Sequence, residues 1–364
     1  MKTLVLGRPV IAIAGSSGKT TTKEMIASIL RTRWKVYKSG ANTNDRIHLT
    51  KHAKKIRPYH RAVVLEYGMS ARGNLRRSCT IIQPNMAVVT MVGTAHIGNF
   101  GGNAERLIKA KSEIILNMKQ SGTLFLNNDD INSQRLDNGN FQGMVVTVAI
   151  NNEADYKAID VRFSKKGMIF AAKLADTYQQ FYISVLGEHN VYNALFAIAV
   201  ADRLGFTPDK IRKGLKKYKR PKRRLMVYHL KKKVRLLDDT YNANPNSVKA
   251  AIDVLDKIGT GSNIAVLGNM SELGSYSKRG HKDVGRYLAN KKKTYLFTFG
   301  NKARIIGKEA IANGFPSRRV KHSVNRKTLH KRLKRYIKYG STVLVKGSHN
   351  MRMNKTVKFL KHIS

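Results

Sequence analysis

Short unbroken apolar runs alternate along the chain with stretches whose apolar residues recur every three or four positions. Val10-Ile11-Ala12-Ile13-Ala14 predicts a buried strand, and Lys23 to Leu30 predicts the helix after it. Ala62-Val63-Val64-Leu65 and Met86-Ala87-Val88-Val89-Thr90 are apolar at every position. Such runs suit a parallel sheet covered on both faces, since a half-exposed strand would alternate. Glu105 to Met118 reads as a helix with Leu107, Ile108, Ile114 and Ile115 on its apolar side, followed by a strand at Thr123-Leu124-Phe125-Leu126. From about 144 to 185 the β-rich pattern, with a Lys165-Lys166-Gly167 turn, predicts an antiparallel insertion. An apolar helix returns from Asn190 to Leu204.

Lys216 to Arg235 is dense in Lys and Arg and contains Pro221, which suits a domain junction. The rhythm then restarts, with strands at 234–237, 264–267, 295–298 and 342–345 and helices near 246–258, 280–290, 302–313 and 326–338. The last helix sets Leu329, Leu333 and Ile337 on one face and Lys331, Arg332, Lys334 and Arg335 elsewhere. The expectation is an α/β protein of two domains, 1–220 and 221–364. No internal repeat or low-complexity tract interrupts it.

Composition narrows the class. A hydrophobic fraction of 42% over 364 residues supplies cores for two domains and argues against disorder. No apolar run is long enough for a membrane span, and the apolar stretch before Arg8-Pro9 is too short for a secretion signal. The single cysteine, Cys79, leaves no internal disulfide and fits a reducing compartment, so the cytoplasm is expected. The odd feature is a formal charge of +47. It implies either a surface that attracts polyanions (nucleic acid, an anionic polymer, acidic membrane or a polycarboxylate substrate) or a general basic drift of composition. No specific nucleic-acid signature accompanies it, and the sequence does not indicate an oligomeric state.

The strongest local chemistry is Gly15-Ser16-Ser17-Gly18-Lys19-Thr20-Thr21, directly between the first strand and its helix. A strand, glycine loop and helix start aim backbone N–H groups at phosphates. Lys19 would reach the outer phosphates, and the Thr20 hydroxyl would bind Mg²⁺. The spacing is shorter than the common loop, because Ile13 stands where the first glycine usually falls. Glu66 sits at the tip of the 62–65 run, where a carboxylate can hold Mg²⁺, and His96 follows the next strand at the same edge. Either could instead be an ordinary solvated or hydrogen-bonding residue.

These stretches resemble the Mur ligase superfamily. Gly15 to Glu24, Leu65-Glu66-Tyr67-Gly68 and the loop ending in His96 are similar to its central domain. Ala110-Lys111-Ser112-Glu113-Ile114, Gly187 to Asn193, Asp238 to Pro245, Gly268 to Gly274 and Leu344 to Ser348 follow in family order. The resemblance runs from about residue 8 to 360 and implies a P-loop ATPase domain with a mostly parallel sheet, then a Rossmann-like domain. It implies ATP-dependent amide formation through an acyl phosphate, with ATP and two Mg²⁺ ions, from a small-molecule carboxylate and amine. Lys19, Glu66, His96 and Lys111 are then the catalytic set, and Thr20, Glu66, His96 and Lys111 the metal set, with Lys111 carried as a carbamate. Gly15, Ser16, Ser17, Gly18, Thr21, Asn190, Asn193, Arg224 and Asp239 would join Lys19 and Thr20 around the nucleotide, and domain closure would exclude water. Asn42, Asn44, Asn242, Asn244, Glu272, Lys346 and Ser348 would face the other substrates.

The chain also departs from the pattern. Only a few residues precede the first strand, so the family's N-terminal uridine-nucleotide-binding domain is expected to be missing. The substrate loop reads Gly40-Ala41-Asn42-Thr43-Asn44-Asp45-Arg46-Ile47-His48-Leu49-Thr50, without the usual Gly-x-Pro ending, and Lys222-Arg223-Arg224-Leu225 replaces Pro-Gly-Arg-Leu. The acceptor is therefore left open between an acidic or polymeric carboxylate, a cell-wall peptide precursor that takes a dipeptide, and a folylpolyglutamate-type substrate. A polyanion-binding protein with a vestigial ATPase is the reading from another class.

Overall fold

The computed structural model describes residues 3–40, 43–174, 176–291 and 293–363. They form two compact units: Met1–His96 with Asn103–Arg220, and Ile97–Gly102 with Pro221–Ser364.

The first unit runs β1 (Val10–Ala14), α1 (Lys19–Leu30), β2 (Val36–Lys38), α2 (Arg46–Ala53), β3 (Ala62–Glu66), α3 (Asn74–Ile81), β4 (Met86–Val89), α4 (Ala104–Asn117) and β5 (Thr123–Asn127). It continues through β6 (Met144–Ala149), β7 (Tyr156–Phe163), β8 (Met168–Leu174), β9 (Thr177–Ile183), α5 (Glu188–Arg203) and α6 (Pro208–Lys217). One sheet orders them β2-β3-β1-β4-β5-β6-β7-β8-β9. β1, β3 and β4 are buried at every residue, as their unbroken apolar runs require. α5 is buried from Val191 through Ala201 except at Tyr192, so it lies inside the unit with Met25, Ile26 and Ile29 of α1 in the same core.

The region 144–185 differs from expectation. β6 pairs parallel with β5 along its length, and antiparallel pairing starts only at β7 with β8. The β-rich composition is real, but strand direction is set by the partner strand, which alternation along one segment cannot reveal. α1 also begins four residues before its apolar pattern does, because its first turn is the polar Lys19-Thr20-Thr21-Thr22.

The second unit contains β10 (Met226–His229), β11 (Arg235–Asp239), α7 (Pro245–Ile258), β12 (Asn263–Gly268), α8 (Ser277–Ala289), β13 (Thr294–Phe299), α9 (Arg304–Ala312), β14 (Val320–Ser323), α10 (Arg326–Tyr336), β15 (Thr342–Lys346) and α11 (Asn354–Ile363). Its sheet runs β10-β11-β15-β12-β13-β14 and is parallel except where β10 meets β11. Leu329 and Leu333 of α10 are buried in its core, which leaves Lys327, Lys331, Lys334 and Arg335 to solvent, while Arg326 and Arg332 are half-buried. Both units are α/β with mostly parallel sheets, as the sequence pattern predicts. Among the described residues, no helix is long and apolar enough to cross a membrane.

Candidate active site

The phosphate loop closes the gap between β1 and α1, and two glycines make its shape possible. Gly15 has φ 133° and Gly18 has φ 86°, regions that side chains disfavour. A Cβ at Gly15 would fall 2.1 Å from Thr90 Oγ1, and one at Gly18 would fall 2.3 Å from Asn193 Oδ1. The loop is pinned from behind. Thr90 Oγ1 donates to Ser17 O at 2.6 Å, Ser16 N donates to Met91 O at 2.8 Å, and Ser16 Oγ donates to Gly93 O at 2.9 Å. Lys19 is the first residue of α1, and its Nζ donates to Gly15 O at 2.7 Å across the loop. Thr21 is buried in the same turn.

Asn193 and Asn190 of α5 support this turn. Thr22 Oγ1 donates to Asn193 Oδ1 at 3.1 Å, Asn193 Nδ2 donates to Asn190 Oδ1 at 3.0 Å, and Asn190 Nδ2 donates to Leu186 O at 2.8 Å. Both asparagines are buried in this chain of bonds, which fixes how the loop sits on α5.

Glu66, the last residue of β3, is 4% exposed. Its carboxylate accepts from Thr20 Oγ1 at 2.9 Å on one oxygen and from Asn44 Nδ2 at 3.0 Å on the other. Asn44, expected at the substrate, here gives its amide to Glu66. Asn42 lies outside the described residues. His96 is half-buried with φ 62°, a left-handed backbone uncommon outside glycine.

Lys111 lies in α4 and is 1% exposed. Burial pushes its ammonium down from the ordinary 10.5 to about 7, repulsion from Lys19 acts the same way, and Asp130 opposes them. A lysine shifted this far is partly neutral near physiological pH, in contrast to a solvated one. Asp130 is itself oriented by Val92 N, which donates to Oδ2 at 2.6 Å.

The second unit gathers its candidate residues at the C-terminal ends of neighbouring parallel strands, where α/β sheets bind ligands. Lys346 ends β15, is buried, and donates to Asp239 Oδ2 and to Asn242 O. Asp239 also accepts from Leu225 N at 3.0 Å. Arg224 lies over the Tyr241 ring with its guanidinium carbon 4.0 Å from the centroid. Ser348 Oγ accepts from Ser271 N at 2.7 Å, and Gly98 N donates to Glu272 O at 3.1 Å, with Glu272 at φ 64°. Asn244, another expected substrate residue, is the N-cap of α7: Ser247 N donates to its Oδ1 at 2.9 Å in a reciprocal capping box. Asn242 Oδ1 accepts from Ala243 N at 2.9 Å.

A glycine loop seated this closely on Thr90 and Asn193, with α1 starting at Lys19, suits the phosphates of a nucleoside triphosphate. The Thr20 hydroxyl and the Glu66 carboxylate, 2.9 Å apart, are oxygen donors of the kind that suit Mg²⁺. Among the described residues, no group of three His, Cys, Asp or Glu side chains converges as a cage. Mg²⁺ held partly by phosphates needs none.

These features define a P-loop nucleotide-binding unit followed by a Rossmann-like unit, and the comparisons with known proteins say which. The Mur ligase middle domain matches residues 13–201, and the Mur ligase glutamate ligase domain matches residues 223–349. The UDP-N-acetylmuramoyl-tripeptide–D-alanyl-D-alanine ligase of Bacillus subtilis is 34% identical over 98% of this chain and 76% of its own length. The crystal structure of MurF from Acinetobacter baumannii superposes with a TM-score of 0.89 at 28% identity, over 97% of this chain and 76% of that one. MurF of Thermotoga maritima, solved in complex with ADP, gives 0.85 at 26% identity, over 98% and 80%. The chain belongs to the Mur ligase family, and with it to the ATP-dependent enzymes that join carbon to nitrogen.

Sequence reasoning missed Thr90, Ser39 and Asp130, which shape the site through backbone groups of distant segments. Nothing in their local sequence marks that task.

Proposed function

We propose that this chain joins D-alanyl-D-alanine to the terminal carboxylate of a UDP-N-acetylmuramoyl tripeptide, releasing ADP and phosphate, in the cytoplasm. What carries the reading is that the likeness to the B. subtilis enzyme extends through 98% of the chain, both units included, and is not confined to the phosphate loop. Of the acceptors the sequence leaves open, this small nucleotide-linked peptide has that support, and an anionic polymer does not.

The chemistry follows from what a carboxylate lacks. It is a poor electrophile, so its oxygen attacks the γ-phosphorus of ATP and ADP departs. The amine of the dipeptide then attacks the acyl carbon, phosphate leaves with the bonding pair, and the amine loses a proton. In this reading the N–H groups of Gly15 to Lys19 and the Lys19 ammonium cradle the phosphates and offset charge as it moves. Asn190 and Asn193 hold the loop in that shape, and Thr20 and Glu66 present oxygen to Mg²⁺. Mg²⁺, when bound, offsets phosphate charge and orients the γ-phosphoryl group; two ions are proposed, with His96 and Lys111 serving the second. The neutral Lys111 amine adds to the carbon of CO₂ and loses a proton, which turns a cation into an anionic oxygen ligand. That reaction needs the depressed pKa that burial supplies.

The test supplies ATP, Mg²⁺ and bicarbonate with either the UDP-muramoyl tripeptide plus D-alanyl-D-alanine or a folate plus glutamate. ADP release and the product's mass are followed. The first pair should turn over and yield the pentapeptide product. Turnover with folate and glutamate alone would replace this reading with the folylpolyglutamate type. ATP hydrolysis that no acceptor stimulates would favour the vestigial one.

A further inference from the structure

α1 carries a buried lysine that the phosphate site does not use. Lys23 is 0% exposed, among the Met25, Ile26 and Ile29 side chains that pack its helix into the core. An ammonium is costly to bury unless its donors are taken up, and here they are. Nζ donates to Ser39 O at 2.9 Å and Gly40 O at 3.1 Å, and sits 3.3 Å from Glu24 Oε1. Burial lowers its pKa, while the fields of Glu66 and Glu24 pull it back up.

The bonds all lie at one corner, where the chain leaves β2. Ser39 N donates to Val64 O at 3.1 Å, and Ser39 Oγ accepts from Glu66 N at 3.1 Å, which ties the corner to the end of β3. Gly40 O also accepts from Thr43 Oγ1 at 3.0 Å, and Asn44 closes the circuit through its amide bond to Glu66 and its carbonyl, which accepts from Gly68 N at 2.8 Å. Thr20 and Lys23 stand one turn apart on α1. The helix therefore grips Glu66 twice, directly through Thr20 and indirectly through Lys23, Ser39 and the returning Asn44.

We infer that Lys23 is a positioning residue that fixes the Ser39–Gly40 corner and, through it, sets where Glu66 and Asn44 present their polar groups. Its ammonium is taken up by protein groups alone, namely Ser39 O, Gly40 O and the Glu24 carboxylate. A neutral side chain of equal length would pack as well, so the donors are what the position selects. This inference rests on Glu66 serving Mg²⁺, and its test separates the two.

The variant is Lys23→Met in the full chain, which keeps the stem and removes the donors. Amide exchange at Ser39 and Glu66, followed without any ligand, should quicken roughly tenfold or more, while core amides of β1 and β4 stay protected. ADP affinity in the absence of Mg²⁺, which reads the phosphate loop alone, should stay within about twofold. The Mg²⁺ concentration for half-maximal turnover should rise roughly tenfold. Ser39→Ala, which cuts only the bond from Glu66 N, should shift Mg²⁺ the same way, and the double variant should add little beyond either single one. If Lys23→Met does not fold, Ser39→Ala carries the exchange and Mg²⁺ measurements by itself. Unchanged exchange at the corner, faster exchange throughout the unit, or additive Mg²⁺ shifts would overturn the inference. The exchange and metal-free arms need no acceptor or Mg²⁺, so an error in the proposed reaction or in the role of Glu66 would leave their outcome standing.

Discussion

Replacing Lys111 with methionine should make the protein more stable and less active, by amounts that depend on pH in opposite ways. Methionine keeps the volume and length of the stem and removes the amine. In the folded chain the amine titrates at about 7, against 10.5 when solvated. That gap corresponds to a cost on the order of 5 kcal/mol for holding the protonated form in the fold. Near pH 6 the native lysine is charged in both states and the whole cost is present, so the variant should be more stable by several kcal/mol. As pH rises from about 7 towards 10.5, only the unfolded chain keeps its proton and stability rises. The advantage of methionine should shrink through that window and almost vanish at its upper end. Urea midpoints at several pH values in CO₂-free buffer measure the gap directly. Activity should move the other way. Wild-type turnover should climb through pH 7 as the neutral amine becomes available, bicarbonate should restore turnover to CO₂-depleted wild type, and neither should help Lys111→Met. A methionine variant less stable than wild type near pH 6, or a gap that does not change with pH, would mean that Asp130 holds the lysine charged. The carbamate would then fall with it.

Lys19→Ala should reduce ADP formation at least about 100-fold with an unchanged circular dichroism spectrum, since it removes the charge facing the phosphates; a variant keeping a tenth of the activity would refute that role. Gly18→Ala should weaken ADP binding by tenfold or more, because φ 86° disfavours a side chain and the new Cβ would fall 2.3 Å from Asn193 Oδ1. Adding Asn193→Ala should recover part of that loss, and wild-type affinity in Gly18→Ala would refute the steric argument. Asn244→Ala should cost about 1 kcal/mol of stability as a lost helix cap and leave the KM for D-alanyl-D-alanine within about twofold; a large KM change without lost stability would return Asn244 to the substrate.

What the sequence made legible was what depends on local pattern. β1, β3 and β4 are apolar throughout because both faces are covered, and a glycine loop before a helix start is hard to mistake. α2 was not legible: Arg46-Ile47-His48-Leu49-Thr50-Lys51-His52-Ala53 has no apolar period, and it buries only Leu49 and His52. The direction of β6 depends on β5, and the tasks of Lys23, Ser39 and Thr90 depend on carbonyls or amides far along the chain. Asn244 did carry a local signal. Pro245 at the first helical position and Ser247 two residues later form a helix-start signature, which marks Asn244 as a cap whatever else it does.

Lys111 shows how much a pattern can hold beyond residue type. By type alone it belongs on a helix surface, and only the family resemblance assigns it a part in the chemistry. Yet it stands four residues after Leu107, three after Ile108, three before Ile114 and four before Ile115, all buried in α4. Those spacings place it at the centre of the apolar stripe, where a lysine cannot reach water along its stem. A lone cation in that position must lose its proton, find a partner or be modified. The structure gives it burial and a neighbouring cation, Lys19, with Asp130 as the weaker, opposing influence. The periodicity that built the helix therefore also singles out Lys111 as its candidate for chemistry, because a polar group at the middle of an apolar face needs a reason to be there.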